Sequence, residues 1–135
     1  MARPYLGGTN AGVKTVSAAA TLTTADSNKT IFVTEGSANY DITLPAVSNI
    51  GCEFKFILTA SPSSYDIDVV SAAGDDIIGV EFADEDTASA TDSDWDKITF
   101  NSAAAAGSYA TFVSNGTNWF AHMFGSSDSA FSQTD

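Results

Sequence analysis

Carboxylates are the one type of side chain in this sequence that is concentrated enough to suggest a site. Asp92, Asp94 and Asp96 follow a D-x-D-x-D spacing, and oxygen ligands at such intervals can converge on Ca²⁺. The EF-hand pattern fails, because Lys97 follows the third aspartate where glycine is needed and Ala103 occupies the twelfth position instead of glutamate. We therefore predict no metal site, but a solvated acidic loop that discourages pairing between strand edges.

Catalytic side chains are scarce. The chain has one histidine, His122, and one cysteine, Cys52, which is too few for a zinc site. No nucleophile motif accompanies the histidine, and Gly7-Gly8 is not followed by the Lys-Ser/Thr of a phosphate-binding loop. The sequence predicts a protein that is not an enzyme, with no catalytic residues and no cofactor.

The elements that would position any site are strands, because apolar residues recur with period 2 between turn residues. We expect strands at residues 30–34, 40–44, 53–59, 65–70, 77–82, 95–100, 108–113 and 118–124. In the fourth of these, Asp66 and Asp68 are expected to point to water. Asn115-Gly116 between the last two predicts a hairpin with a type I′ turn. The predicted fold is all-β, an antiparallel β-sandwich of jelly-roll type.

The chain of 135 residues fits one domain with flanking segments. Residues 1–14 are Gly-rich, contain Pro4 and show no periodicity, so we predict an extended N-terminal arm. The sandwich is expected to span residues 15–124, followed by a polar C-terminal tail over 125–135. Trp95 and Trp119 are candidate interface aromatics, each half-buried where subunits meet.

Charge is distributed unevenly along the chain. The first 34 residues carry three cations and one acid, whereas the remainder carries 16 acids and two lysines, for a formal net charge of −12 overall. Nucleic-acid binding requires a cluster of Lys and Arg, so we predict no nucleic-acid partner and, for the same reason, no anionic membrane partner. The sequence also lacks a secretion-signal pattern, which predicts synthesis in the cytoplasm.

Four segments have a recognisable pattern. They are Met1-Ala2-Arg3-Pro4-Tyr5-Leu6-Gly7-Gly8, Ile42-Thr43-Leu44-Pro45, Gly51-x-x-Phe54-x-Phe56 and Asn115-Gly116-Thr117-Asn118-Trp119. Together they resemble small β-rich virion proteins of tailed bacteriophages, in particular head-decoration (cement) proteins. The aromatic after the tryptophan is usually tyrosine in this pattern, and Phe120 replaces it here.

The resemblance implies a homotrimer on the outer surface of the capsid, with the arm gripping the major capsid protein and no catalysis. The expected capsid contacts are Arg3, Pro4, Tyr5, Leu6 and Lys14. The Leu-Pro strand end and the Gly-x-x-Trp hairpin also occur in tail-fibre proteins. The alternative is therefore a tail-fibre or receptor-binding module that recognises a glycan through exposed aromatics such as Trp95 or Tyr65.

Overall fold

The computed structural model describes residues 12–83 and 94–135. Within these ranges the chain forms eleven strands, with a 3₁₀ helix at Thr24–Asp26. The strands are β1 (Val13–Val16), β2 (Ala20–Thr21), β3 (Lys29–Val33), β4 (Tyr40–Thr43), β5 (Glu53–Leu58), β6 (Ile67–Val70), β7 (Asp76–Ala83), β8 (Lys97–Phe100), β9 (Tyr109–Ser114), β10 (Asn118–Gly125) and β11 (Phe131–Thr134). All eight predicted strands are present, and β1, β2 and β11 are additional.

The strands form two sheets that pack face to face, which confirms the all-β sandwich. The front sheet has the order β1-β3-β5-β9-β10-β7, and the back sheet has the order β11-β8-β6-β4-β2. Alternate residues of both sheets fill one core, in which Phe54 packs on Trp119 with ring centroids 5.8 Å apart. Phe56 meets Phe112 edge-on at 5.5 Å in the same layer.

The strand directions are mixed, so the prediction of a purely antiparallel sandwich is corrected. β1, β3 and β5 run parallel in the front sheet, as do β2, β4 and β6 in the back sheet and the pair β7 and β10. The first six strands alternate between the two sheets. Because the chain crosses to the other sheet after each strand, it returns running in the same direction as before. The antiparallel pairs are β5 with β9, β9 with β10, β6 with β8 and β8 with β11.

The predicted hairpin connects β9 and β10, but its turn differs from the expected type. The N–H of Asn115 donates to the carbonyl of Asn118, so the two central residues are Gly116 and Thr117. The positive φ falls on Gly116, at 93°. The side-chain oxygen of Asn115 accepts the N–H groups of Thr117 and Asn118, both at 2.9 Å, and this Asx turn replaces the type I′ geometry.

The two flanking segments also differ from their predicted boundaries. Residues 125–135, predicted as a polar tail, complete the back sheet because β11 pairs with β8 and buries Phe131 against Phe100 at 4.9 Å. At the other end β1 begins at Val13, inside the segment predicted as an arm. β1 lies at an edge of the front sheet.

Candidate interaction surface

The outward side of the front sheet carries three rows of side chains that cross it from strand to strand. The first row is Thr15, Phe32, Ile57, Tyr109, Phe124 and Phe82. The second row is Val13, Thr30, Lys55, Thr111, His122 and Val80. The third row is Glu53, Val113, Phe120 and Ile78. We call these sixteen residues the front face.

The front face is apolar on strands whose opposite side already fills the core. In β10, Trp119, Ala121 and Met123 are buried inside the sandwich, so the intervening Phe120 and His122 point outward. Six large hydrophobic side chains stand out as exposed in the described ranges, and four of them lie on this face: Val13, Phe82, Val113 and Phe120. A contiguous apolar patch of this kind is typical of a surface that binds another macromolecule.

Three rings of the first row are stacked on one another. Phe124 lies between Phe82 and Tyr109, with ring centroids 4.9 Å and 4.6 Å away. The ammonium of Lys55 sits 4.7 Å from the centroid of the Tyr109 ring, in a cation–π arrangement. These contacts fix the side chains before any partner binds, so little rotamer freedom remains to be lost on association.

Few charges interrupt the front face. Lys55 and Glu53 are its two residues with a formal charge, and they occupy neighbouring outward positions on β5. Thr30, Thr111 and His122 are polar members of the middle row. The surface therefore combines apolar area with a few hydrogen-bonding groups, the composition expected at the centre of a protein–protein interface.

The outward side of the back sheet is different. One of its rows aligns Asp41, Asp68, Thr99 and Ser132. Asp68 accepts hydrogen bonds from Thr99 Oγ1 at 2.5 Å and from Lys97 Nζ at 3.1 Å. The side chain points outward as predicted, but these two neighbours cover it and leave the residue 8% exposed.

Lys14, one of the predicted capsid contacts, forms a salt bridge within its own chain. It lies in β1, and its ammonium binds Asp26 at 3.1 Å while Lys29 binds the other carboxylate oxygen at 2.9 Å. Burial raises the pKa of Asp26, but hydrogen bonds from Lys29, the Thr23 N–H and Lys14 outweigh it and lower the pKa to about 2. Lys14 therefore holds β1 to its own chain. The other predicted contacts, Arg3, Pro4, Tyr5 and Leu6, lie outside the described residues.

The two tryptophans are buried inside the chain, so their predicted position at a subunit interface is corrected. Trp119 is fully buried and Trp95 is 5% exposed. Trp95 packs over Gly79 of β7, where a β-carbon would come within 2.6 Å of the indole ring. The sequence pattern indicated the two tryptophans as interface residues and did not indicate Phe82, Phe120 and Phe124, which lie on the front face. The available signal was that β7 and β10 are apolar at successive positions rather than at alternate ones.

The acidic segment gives no metal centre in the part of the chain that the structure describes. Asp94 and Asp96 are both exposed, and Asp92 lies outside the described residues. Across residues 12–83 and 94–135, no three His, Cys, Asp or Glu side chains are grouped closely enough to hold a metal ion. His122 has Thr111 and Val80 as its neighbours in the middle row.

An oxyanion-binding loop is present, but it is filled by the protein itself. The carboxylate of Glu35 accepts the backbone N–H groups of Ser63, Ser64 and Tyr65, together with the Ser63 hydroxyl. These bonds, led by the one from Ser64, lower the pKa of Glu35 to about 2. The loop is thus fixed with the Tyr65 side chain 40% exposed.

A cavity of about 540 Å³ lies at one end of the back sheet. Its lining includes Val70, Gly74, Asp96, Lys97 and Thr134. Lys97 is the one cation in the described part of this lining, and its ammonium is already bound to Asp68. The front face is therefore the stronger candidate for function.

Comparisons with known proteins add no assignment to this geometry. No protein-family model matches the chain, and no curated protein matches it. Within residues 12–83 and 94–135, no helix has the length and hydrophobicity needed to cross a bilayer.

Proposed function

We propose that this protein is a non-catalytic virion structural protein that decorates the outside of an assembled phage head and stabilises it. The observation that supports this proposal best is the front face, an ordered apolar surface suited to a protein partner. The partners are the major capsid protein and further copies of this chain, associating as a trimer as the resemblance implies. The function is mechanical reinforcement and needs no cofactor.

The N-terminal segment is the proposed docking element. β1, which follows this segment in the sequence, lies at the margin of the front face. An extended segment can add a strand to the sheet edge of a neighbouring protein. Three such segments in a trimer strengthen a modest single contact through effective concentration. Arg3, Pro4, Tyr5 and Leu6 would make the contacts, and the anionic remainder of the chain would keep coated particles apart.

Deletion of residues 2–11 tests the proposal, because it removes the arm and leaves β1 intact. We expect the truncated protein to keep the thermal unfolding curve of the full chain but to lose co-sedimentation with undecorated heads. A Thr9→Ala/Asn10→Ala variant serves as the control and should bind normally. Undiminished binding of the truncated protein would overturn the docking role of the arm. Mass spectrometry of purified particles should also find copy numbers comparable with those of the shell protein.

Tyr65 supports the second candidate function, a tail-fibre or receptor-binding module for a host glycan. The tyrosine is exposed on a loop that Glu35 holds rigid, and aromatic rings stack on sugars. A glycan array separates the two functions. Binding that is lost in Tyr65→Ala, together with no affinity for heads, would favour the glycan module.

A further inference from the structure

We infer that the front face is buried against a second copy of this chain. This inference rests on the proposed function, and it deepens it by naming the surface through which copies meet. Tyr109, Phe120 and Phe124 lie on two adjacent strands of that surface, β9 and β10, with the apolar side chains of the edge strand β7 beside them.

The size of the front face fits association between copies. Strands lie about 4.8 Å apart and outward residues about 6.8 Å apart along a strand, so the sixteen residues cover on the order of 500 Å² in outline. Stable protein interfaces bury about 800 Å² of accessible surface per partner. Side chains that stand up from a sheet expose more area than their outline, so this face alone supplies most of one partner's share.

Charge favours a copy of the chain over a foreign partner. The chain has a formal net charge of −12, so contact through most other surfaces would bring carboxylates together. The front face carries one lysine and one glutamate, Lys55 and Glu53, two residues apart on β5. A neighbouring copy of the trimer can place its Glu53 near Lys55, and the same pairing repeats around the three-fold axis. A strongly basic partner would find a single carboxylate to bind there.

The middle row supplies the polar groups that would fix the angle between copies. Thr111 and His122 lie between two rows of mostly apolar side chains, and Thr30 continues the middle row on β3. They offer donors and acceptors without adding formal charge to the interface. Such groups restrict the arrangements in which an apolar interface can close, because each must find a partner once water is excluded.

Sedimentation velocity of the purified full chain over a dilution series tests the inference. We expect the wild type to sediment as an oligomer, and more tightly in 1 M NaCl than at low salt, because screening weakens repulsion between the anionic bodies. Phe120→Glu should raise the dissociation constant by roughly 100-fold, since it buries an unpaired carboxylate against apolar side chains. Phe120→Lys should act similarly, because burying either sign of charge is unfavourable.

Ile50→Glu is the matched control. Ile50 is 76% exposed and lies in the connection before β5, outside the front face, so this variant should sediment as the wild type does. Far-UV circular dichroism and thermal unfolding of dilute samples should show that every variant is folded. A wild type that is monomeric at all concentrations, or a folded Phe120→Glu that associates as tightly as the wild type, would overturn the inference.

Head binding is measured in parallel, so that the two proposals can fail separately. A wild type that is monomeric but still co-sediments with heads would refute the interface between copies and support the decoration function. A wild type that is oligomeric but has no affinity for heads, together with a Phe120→Glu variant that dissociates, would support the interface and refute the decoration function.

Discussion

The outer faces of the two sheets have the same β-strand geometry and opposite chemistry. On the back sheet, Lys97 and Thr99 both donate to the carboxylate of Asp68, so these three polar groups find partners within the chain. On the front sheet, Phe82, Phe124 and Tyr109 stack side by side and remain partly open to solvent. Both sheets bury an apolar inner layer, but the front sheet has an apolar outer layer as well.

This difference separates the outer face that stabilises the fold from the outer face that remains available to a partner. A polar outer face whose groups bond one another can remain in water without cost. An apolar outer face gains free energy when it is covered, at about 25 cal/mol per Å² of apolar surface removed from water. The back face therefore needs no partner, and the front face is the one that we propose to be covered in a complex.

The largest effect on monomer stability should come from the back face. Asp68→Ala leaves the Thr99 hydroxyl and the Lys97 ammonium without their acceptor, and we expect a loss of about 2 kcal/mol in the free energy of unfolding. Urea denaturation measures it. Asp41→Ala is the control, because Asp41 is exposed and lies directly opposite Asp68 on β4, where removing a like charge costs little. Equal losses in the two variants would show that the Asp68 network does not stabilise this face.

A smaller effect should come from acid, through the β1 edge of the front sheet. The pKa of Asp26 is about 2 when folded, below its ordinary value of 3.8, so its ionised form stabilises the fold above about pH 4 and this contribution is lost as pH falls towards 2. We expect about 1–2 kcal/mol, after allowing for solvent screening. Asp26→Asn should lose less stability than the wild type between pH 5 and 2.

Two other carboxyl groups, those of Glu35 and Glu81, also make stability depend on pH. The contribution of Asp26 is therefore measured as the difference between the wild type and Asp26→Asn. Glu35 also has a folded pKa of about 2, so the wild type should be acid-sensitive through both groups, and the variant should keep the contribution of Glu35. Burial between the sheets raises the pKa of Glu81, which has the opposite sign, because its neutral form stabilises the fold at low pH and this contribution is lost as pH rises. Identical acid profiles for the wild type and Asp26→Asn would contradict the role of Asp26.

The smallest effect on the monomer should come from the front face. Phe82 is 40% exposed and stacks on Phe124, so Phe82→Ala should cost about 1 kcal/mol or less in dilute samples. In sedimentation velocity, Phe82→Ala should associate more weakly than the wild type. A loss near the 3–5 kcal/mol of a buried phenylalanine would mean that the front face is part of the monomer core.

The strand positions could be predicted from the sequence because alternation is local. Tyr40 and Ile42, or Phe54 and Phe56, show their inward direction without any knowledge of the partner strand. The direction of pairing could not be predicted, because it depends on which sheet the chain enters after each strand. The short strands β1 and β2 and the terminal β11 gave weak signals, since at least half of the positions in each strand are polar.

The candidate surface was harder to predict than the fold. The run from Ile77 to Phe82 is apolar at nearly every position, and a buried strand would have the same pattern. Only the position of β7 in the front sheet shows that Ile78, Val80 and Phe82 face outward. Trp95 and Trp119 failed as interface candidates for the reverse reason, because their large side chains were needed to fill the core.

The edge strand β1 has a consequence for how the sandwich would bear tension. Four of its residues lie in parallel register along β3, so a pull at Gly12 along the strand axis strains the whole ladder together instead of opening one bond at a time. The salt bridge between Lys14 of the same strand and Asp26 shares that force. A tether fixed in this way should withstand a pull along the strand better than a pull across it, and single-molecule stretching in the two directions would measure the difference.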